Sequence, residues 1–271
     1  MADTDSEQPK KVPGYRVVVP FADVHETPDH HAARGKMESQ LVYGETFKVE
    51  LEAEDWCKGY CVHDGYPGWV HRSQLSPVAL AATHVVTAQR SHAFTGPTIK
   101  TAMVQTYSFG SKVRVVDQGE NFAQLEDGTW LYAKHLTPRN TRHPNYIETA
   151  KKFLQTPYYW GGRSGFGIDC SGLVQVALSR AGVKVQRDTD LQIGTIGVVA
   201  ATAPEEGDFV FFPGHVGIMV NSKNIIHANA HHMRVSIEAL DIVEERSKGI
   251  TAVRRLKASD IPPEIPNEDD A

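Results

Sequence analysis

Cys170, His215 and His227 are the residues of this chain whose types and surroundings could together build a nucleophile. Cys170 ends a Gly-rich stretch and opens a segment in which Leu173, Val174, Ala177, Leu178 and Ala181 repeat at helical spacing, with Gly182 placed to end it. Asp169 suits the N-cap of that helix. A cysteine in a first turn feels the positive end of the helix dipole and free backbone N–H groups, and both favour thiolate over thiol. A lone cysteine can also be an inert packing residue, so the chemistry depends on partners. A thiolate nucleophile needs a base, and the base needs a third group that fixes its tautomer. His215 begins a strand in Gly214-His215-Val216-Gly217-Ile218, and His227 lies in the next, Ile225-Ile226-His227-Ala228-Asn229. Paired antiparallel across a turn at 221–223, these strands put the two imidazoles on adjacent rungs, within hydrogen-bonding reach of each other.

Rival chemistries fit less well. Ser171 offers a hydroxyl, a poorer nucleophile than a thiol at neutral pH. His227, His231 and His232 cluster but lack cysteine or carboxylate companions at ligand spacing, so no metal is expected. Gly161-Gly162 follows aromatic residues and does not open a helix in the register of a phosphate or dinucleotide loop, so no cofactor is expected either.

The elements that must hold these residues run helix first, strand second. After a polar linker at 139–143, Pro144 suits the first turn of a helix whose Ile147, Ala150 and Leu154 share one face. The nucleophile helix follows, then a polar loop and short helix around Arg187-Asp188-Thr189-Asp190-Leu191-Gln192. From 207 onward, short β-rich runs at 208–212, 215–220, 224–229, 233–238 and 250–256 alternate with turn residues. Helices followed by an antiparallel sheet make an α+β domain.

Upstream lies an internal repeat. Tyr43-Gly44-Glu45-Thr46-Phe47-Lys48-Val49 recurs as Phe109-Gly110-Ser111-Lys112-Val113-Arg114-Val115, and Asp64-Gly65 with Trp69 and Leu75-Ser76-Pro77 recurs as Asp127-Gly128 with Trp130 and Leu136-Thr137-Pro138. Each copy reads as a small β unit with a Gly turn, an Asp-Gly hairpin, a Trp expected to anchor the core, and a Pro stop. The first copy carries Tyr66-Pro67-Gly68 where the second has only Thr129. A tyrosine hydroxyl there is unnecessary for the repeat to fold, so Tyr66 either serves something outside it or packs at an interface. Cys57 and Cys61, four apart in a strand, stand about 13 Å apart, too far for a disulfide. They read as packing residues.

The chain of 271 residues is 41% hydrophobic and 23% charged, with a net charge of −5 and three cysteines. That balance leaves no basic footprint for nucleic acid or an anionic membrane, and three cysteines exclude a disulfide framework. Residues 1–14 and 258–271 are polar or Pro- and acid-rich and read as a disordered lead and tail. The first residues lack an apolar signal segment, and the longest apolar run, 209–220, is broken by Pro213-Gly214-His215. A cytosolic protein is expected.

Residues 143–257 resemble the NlpC/P60 cysteine peptidases in Pro157-Tyr158 with Trp160-Gly161-Gly162, Phe166-Gly167 with Asp169-Cys170-Ser171-Gly172, Arg187-Asp188-Thr189 with Gln192, Gly207-Asp208, Gly214-His215-Val216-Gly217-Ile218, and His227. Residues 15–77 and 84–138 resemble bacterial SH3 domains. The resemblance implies a papain-like α+β catalytic domain preceded by two small all-β SH3-like barrels. It implies Cys170 as nucleophile, His215 as general base and acid, His227 as the orienting third residue, and Tyr158 helping the Cys170 N–H to hold the oxyanion. The domain order is similar to that of the subgroup cleaving γ-D-glutamyl bonds to a diamino acid in murein peptides with a free N-terminal L-Ala. By that likeness Tyr66 and Asp188 receive the substrate ammonium, with Glu26 a further carboxylate. Asp169, Ser171, Arg187 and Thr189 line the same subsites, and Trp160 forms a wall. The competing expectation is a wall-binding protein whose papain-like domain is silent or has become an amidase or acyltransferase.

Overall fold

Period-two burial makes strands of the first half of the chain: in Phe21–His25, Ala22 and Val24 are buried while the residues between them are only partly covered. The computed structural model describes residues 14–28, 36–78 and 80–263. Apart from Gly14, the expected disordered lead therefore lies outside the described residues. So does the tail beyond 263. Residues 258–263 were expected to belong to that tail, but Ala258–Asp260 forms a 3-10 turn and Pro263 accepts a hydrogen bond from Arg142 Nη1 at 3.0 Å.

The first β unit is one antiparallel sheet of seven strands in the order Met37–Val42, Phe21–His25, Pro67–His71, Trp56–Cys61, Thr46–Ala53, Gly14–Val17, Leu75–Ser76. It closes on a core that includes Val17, Leu41, Phe47, Val70 and both Cys57 and Cys61, which are free thiols. The second unit repeats the plan with a five-stranded and a three-stranded sheet around Val86, Tyr107, Leu125 and Leu131. Equivalent turns share their backbone: Gly44 and Gly110 have φ of 76° and 85°, and Gly65 and Gly128 have 79° and 83°. These left-handed values explain why glycine recurs at those positions. The expected Trp anchors are corrected, because Trp69 and Trp130 are only partly buried. Alternation sends their neighbours Val70 and Leu131 inward instead, while Trp69 lies under the Lys58 ammonium, 5.8 Å from its ring centre.

The third part contains helices α1 (Tyr146–Lys151), α2 (Cys170–Arg180), α3 (Thr189–Thr195) and α4 (Leu240–Arg246). Asn145 caps α1 by accepting from Glu148 N–H at 3.0 Å, so Pro144 lies just outside the helix and not in its first turn. A six-stranded antiparallel sheet runs in the order Val198–Val199, Ala252–Arg255, Phe209–Phe212, His215–Met219, Asn224–Asn229, Arg234–Ala239. Helix α2 crosses it, and every residue from Cys170 to Leu178 is buried. A helix buried all round is central and not a surface helix with one wet face. Its Leu173, Val174, Ala177 and Leu178 share a core with Phe209, Phe211, Val216, Ile218 and Ile226. Each of these buried Leu, Val, Ile and Phe side chains contributes about 1.5–3 kcal/mol. Helix α4 and the Val198–Val199 strand were not expected from the sequence.

The first β unit is locked to the third part by buried polar contacts. Arg163 Nη1 donates to Gln40 O at 2.7 Å and pairs with Glu45 at 3.2 Å, Arg187 Nε donates to Ser39 Oγ at 3.2 Å, and Gln175 Nε2 donates to Asp64 Oδ2 at 2.8 Å. Among the described residues, no helix is long and apolar enough to cross a membrane.

Candidate active site

Helix α2 begins as the residue pattern requires. Asp169 is the N-cap of α2, its Oδ1 accepting from Gly172 N–H at 2.7 Å, so Cys170 occupies the first turn. Asp169 does more than cap. Oδ2 accepts from Gly161 N–H at 2.8 Å, and the Arg187 fork donates to both oxygens at 3.0 and 2.5 Å. Arg187 Nη1 also donates to Ser171 Oγ at 2.8 Å. Asp169 and Arg187 are 7% and 1% exposed, a buried ion pair whose hydrogen bonds knit the Gly161 turn, the start of α2 and the first β unit into one wall. Asp169, Ser171 and Arg187 therefore line the groove with their polar groups already engaged by one another. Their first task is to hold the wall.

Cys170 is 8% exposed, with Thr189 Oγ1, at the start of α3, 3.8 Å from its sulfur. Val216, in the strand that carries His215, shares the core in which Cys170 is buried. The resting charge state differs from the expected thiolate. Burial pushes the Cys170 thiol up to about 11, with the Asp169 carboxylate adding to the effect against Thr189, the Val216 N–H and Arg187. Burial and then His227 push His215 down to about 3. Thiol and neutral imidazole are the resting pair.

His215 and His227 meet as expected, Nε2 to Nδ1 at 2.8 Å. The register pairs Ile218 with Ile226, and its continuation sets His227 opposite Gly217 and makes His215 its diagonal neighbour. Gly217 is needed there, since a Cβ on it would stand 3.0 Å from the His227 Cβ. The sequence reading stopped at His227, but the chain of contacts continues. His227 Nε2 lies 2.7 Å from Glu238 Oε2, and Arg246 of α4 forks onto both Glu238 oxygens at 2.9 Å. Burial would raise the Glu238 carboxyl, but Arg246, His227 and His232 outweigh it and lower it to about 2. A carboxylate accepts only, so His227 carries its proton on Nε2 and presents the Nδ1 lone pair to His215 Nε2–H. The remaining lone pair of His215 is on Nδ1. Glu238 was findable: it lies on the expected 233–238 strand, at the diagonal position to His227 across a sheet edge.

A cavity of about 270 Å³ opens over the sulfur. Tyr158, Trp160 and Gly214 line it together with Cys170, and so do Glu38, Asp188, Thr189 and Asp190. Trp160 is 59% exposed, as a wall residue of an open groove would be. Burial, then Cys170 and Asp169, raise the Tyr158 hydroxyl well above its ordinary range, so it is a donor at neutral pH. Tyr66 is not part of the lining, but burial and then the nearby Asp188 carboxylate raise its hydroxyl well above its ordinary range. Burial raises the Asp188 carboxyl against the pull of Arg187. Glu26 does not line the cavity. Glu38 of the first β unit does, and sequence reading missed it because only the packing of that unit brings it there. One grouping of metal-ligand types occurs among the described residues, Cys61, His63 and Asp64, with ligand atoms within 4.8 Å of one another, and Asp64 in it also accepts from Gln175 Nε2.

A buried thiol at a helix start, a histidine in contact with a second histidine, and an antiparallel sheet behind a central helix define a papain-like cysteine peptidase. Residues 155–252 match the NlpC/P60 family model and residues 24–75 match the model of the bacterial dipeptidyl-peptidase Sh3 domain. The chain is a cysteine peptidase in which residues 155–252 form an NlpC/P60 domain and residues 24–75 a bacterial SH3 domain ahead of it. It is similar to dipeptidyl-peptidase 6 of Lysinibacillus sphaericus, 27% identical over 83% of this chain and 91% of that protein. It is also similar to the gamma-D-glutamyl-L-lysine dipeptidyl-peptidase of Bacillus subtilis, 27% identical over 81% of each. An NlpC/P60 family protein from Bacillus cereus has the same fold, with a TM-score of 0.77 over 92% of this chain and all of that one, at 22% identity.

Proposed function

We propose that this peptidase hydrolyses the bond between γ-D-glutamate and a diamino acid in short murein peptides that carry a free N-terminal L-Ala, released into the cytosol. The observation that carries the reading is the set of carboxylates that line the cavity with Cys170. Glu38, Asp188 and Asp190 stand beside the Cys170 cavity, and the Tyr66 hydroxyl lies near Asp188. An ammonium in a walled groove needs such charge-assisted acceptors. The relatives named above as dipeptidyl-peptidases fit a groove that counts two residues from a free amino end.

Chemistry follows from the proton positions. The Cys170 sulfur attacks the γ-carbonyl carbon as its proton passes to His215 Nδ1, and the carbonyl electrons move onto oxygen. The Cys170 N–H and the Tyr158 hydroxyl stabilise that oxyanion, a contribution of about 3–4 kcal/mol per donor in such sites. The tetrahedral adduct collapses to a thioester as His215 gives its proton to the leaving amine of the diamino acid. Water, deprotonated by the same imidazole, then cleaves the thioester and restores the thiol. His227 and Glu238 hold the imidazole and share the charge it gains.

The wall-binding alternative is less favoured, because Ser39, Gln40, Glu45 and Asp64 of the first β unit are turned toward the peptidase domain and bonded to it. The test is turnover of L-Ala-γ-D-Glu-L-Lys and its diaminopimelate counterpart, followed by mass spectrometry. Cys170→Ala should remove all release of the diamino acid, and N-acetylation of the L-Ala should cut the wild-type rate at least about 100-fold, the scale set by an unmatched buried charge. Turnover retained in Cys170→Ala, or equal rates on free and capped peptides, would overturn the reading.

A further inference from the structure

A cavity of about 490 Å³ lies away from the Cys170 groove, where the two β units and the peptidase domain meet. Lys112 enters it from the second β unit, Arg139 and Arg142 from the linker, Arg180 from the last turn of α2, and Lys184 from just beyond it. Glu45 is the only carboxylate on the lining, and Arg163 pairs with it at 3.2 Å. None of the five other cations pairs with a carboxylate among the described residues. Arg142 donates to the Pro263 carbonyl. Arg180 faces the C-terminal end of the α2 dipole, which favours a cation, yet burial still lowers its pKa with no anion to offset the cost.

Five converging cations around one small space repel one another, and little on the lining compensates them. Guanidinium forks match phosphate and carboxylate oxygens in two-point geometry, and lysines add point charges. We propose that this cavity binds a small, multiply charged oxyanion, bearing phosphate groups or several carboxylates, held by Lys112, Arg139, Arg142, Arg180 and Lys184. The site is distinct from the catalytic one. Cys170 and Arg180 are the first and last residues of α2, a separation of about 15 Å along the helix. Because the cations come from separate parts of the chain, the bound anion ties those parts together and stabilises their arrangement.

The experiment titrates the full chain with inorganic pyrophosphate and, separately, with citrate, ionic strength being held constant with sodium chloride. The Tm is followed by thermal unfolding and the affinity by calorimetry. A saturable rise in Tm is expected with at least one probe, and the stronger probe distinguishes phosphate from carboxylate chemistry. Arg139→Gln with Lys184→Gln, both at exposed positions, relieves part of that repulsion and should therefore leave the unliganded Tm equal or higher while weakening binding at least tenfold. A Tm shift that chloride reproduces, an absence of saturable binding, or unchanged affinity in the double variant would overturn the proposal. The chain continues past Pro263 with Glu264, Glu268, Asp269 and Asp270, so a variant lacking 264–271 completes the test. Binding that appears only in that variant would assign the cavity to the chain's own carboxylates and sink the proposal, whereas binding unchanged by the deletion supports it.

Discussion

Glu238 Oε2 stands 2.7 Å from His227 Nε2, and this one contact fixes which nitrogen of His215 carries a lone pair. Glu238→Ala is expected to lower kcat about 10- to 100-fold with KM little changed, because the change acts through two rings on a proton-transfer step. Steady-state kinetics separates the two parameters. A purely structural role would instead lower the Tm and leave the kcat of the folded fraction unaltered.

Tyr66 and Asp188 are expected to act on substrate binding. Loss of a hydrogen bond to a charged group is worth about 1.5–3 kcal/mol, so Tyr66→Phe and Asp188→Asn should each reduce kcat/KM about 10- to 100-fold on free-amino peptides. The capped peptide, which has no ammonium, should lose far less. Equal losses on both substrates would remove the ammonium role.

The buried Arg187–Asp169 pair predicts strong coupling. Arg187→Ala leaves a carboxylate uncompensated in a dry wall and should cost about 3–5 kcal/mol, whereas adding Asp169→Asn should recover part of that loss. Urea unfolding of the two single variants and the double variant measures the cycle, and strict additivity would contradict it.

Stability should fall on the acid side of neutrality. His215 and His227, like His84 and His135, have folded pKa values pushed below their ordinary value by burial. Below pH about 6.5 the unfolded chain binds protons that the folded chain refuses, so stability decreases as pH drops toward the folded values. Glu45 and Glu238, both lowered to about 2, extend the loss below pH about 4.5, where their unfolded forms protonate first. Cys170 works at the other end, since its raised pKa means that stability is lost as pH rises from about 9 toward about 11. A Tm profile from pH 3 to 11 checks both arms, and Cys170→Ala should flatten part of the alkaline one.

The local devices were legible because each is a short-range pattern. The Asp169 cap and the helical repeat after Cys170 located α2, and the alternating run around His215 and His227 located two strands whose only short connection forces them to pair. Equivalent glycines disclosed the repeat because each supports a turn with positive φ. The Trp anchors failed because alternation phase, set by Val70 and Leu131, decides which side of a strand faces inward. Helix α4 escaped because Leu240–Arg246 carries too few apolar residues to show a face, and contact with the sheet edge rather than propensity holds it.

By itself, then, the sequence determined where the first-turn cysteine and the two facing histidines stand and the order of the elements around them, since these depend on residue type and on neighbours a few positions away. Tertiary structure decided the rest. It extended the histidine pair to Glu238 and Arg246 across a sheet edge, and it brought Glu38 of the first β unit to the rim of the Cys170 groove. It also turned the expected thiolate into a resting thiol. Burial is the reason: the free energy of a charge depends on everything packed around it, and the residues that surround Cys170 come from parts of the chain more than a hundred positions apart.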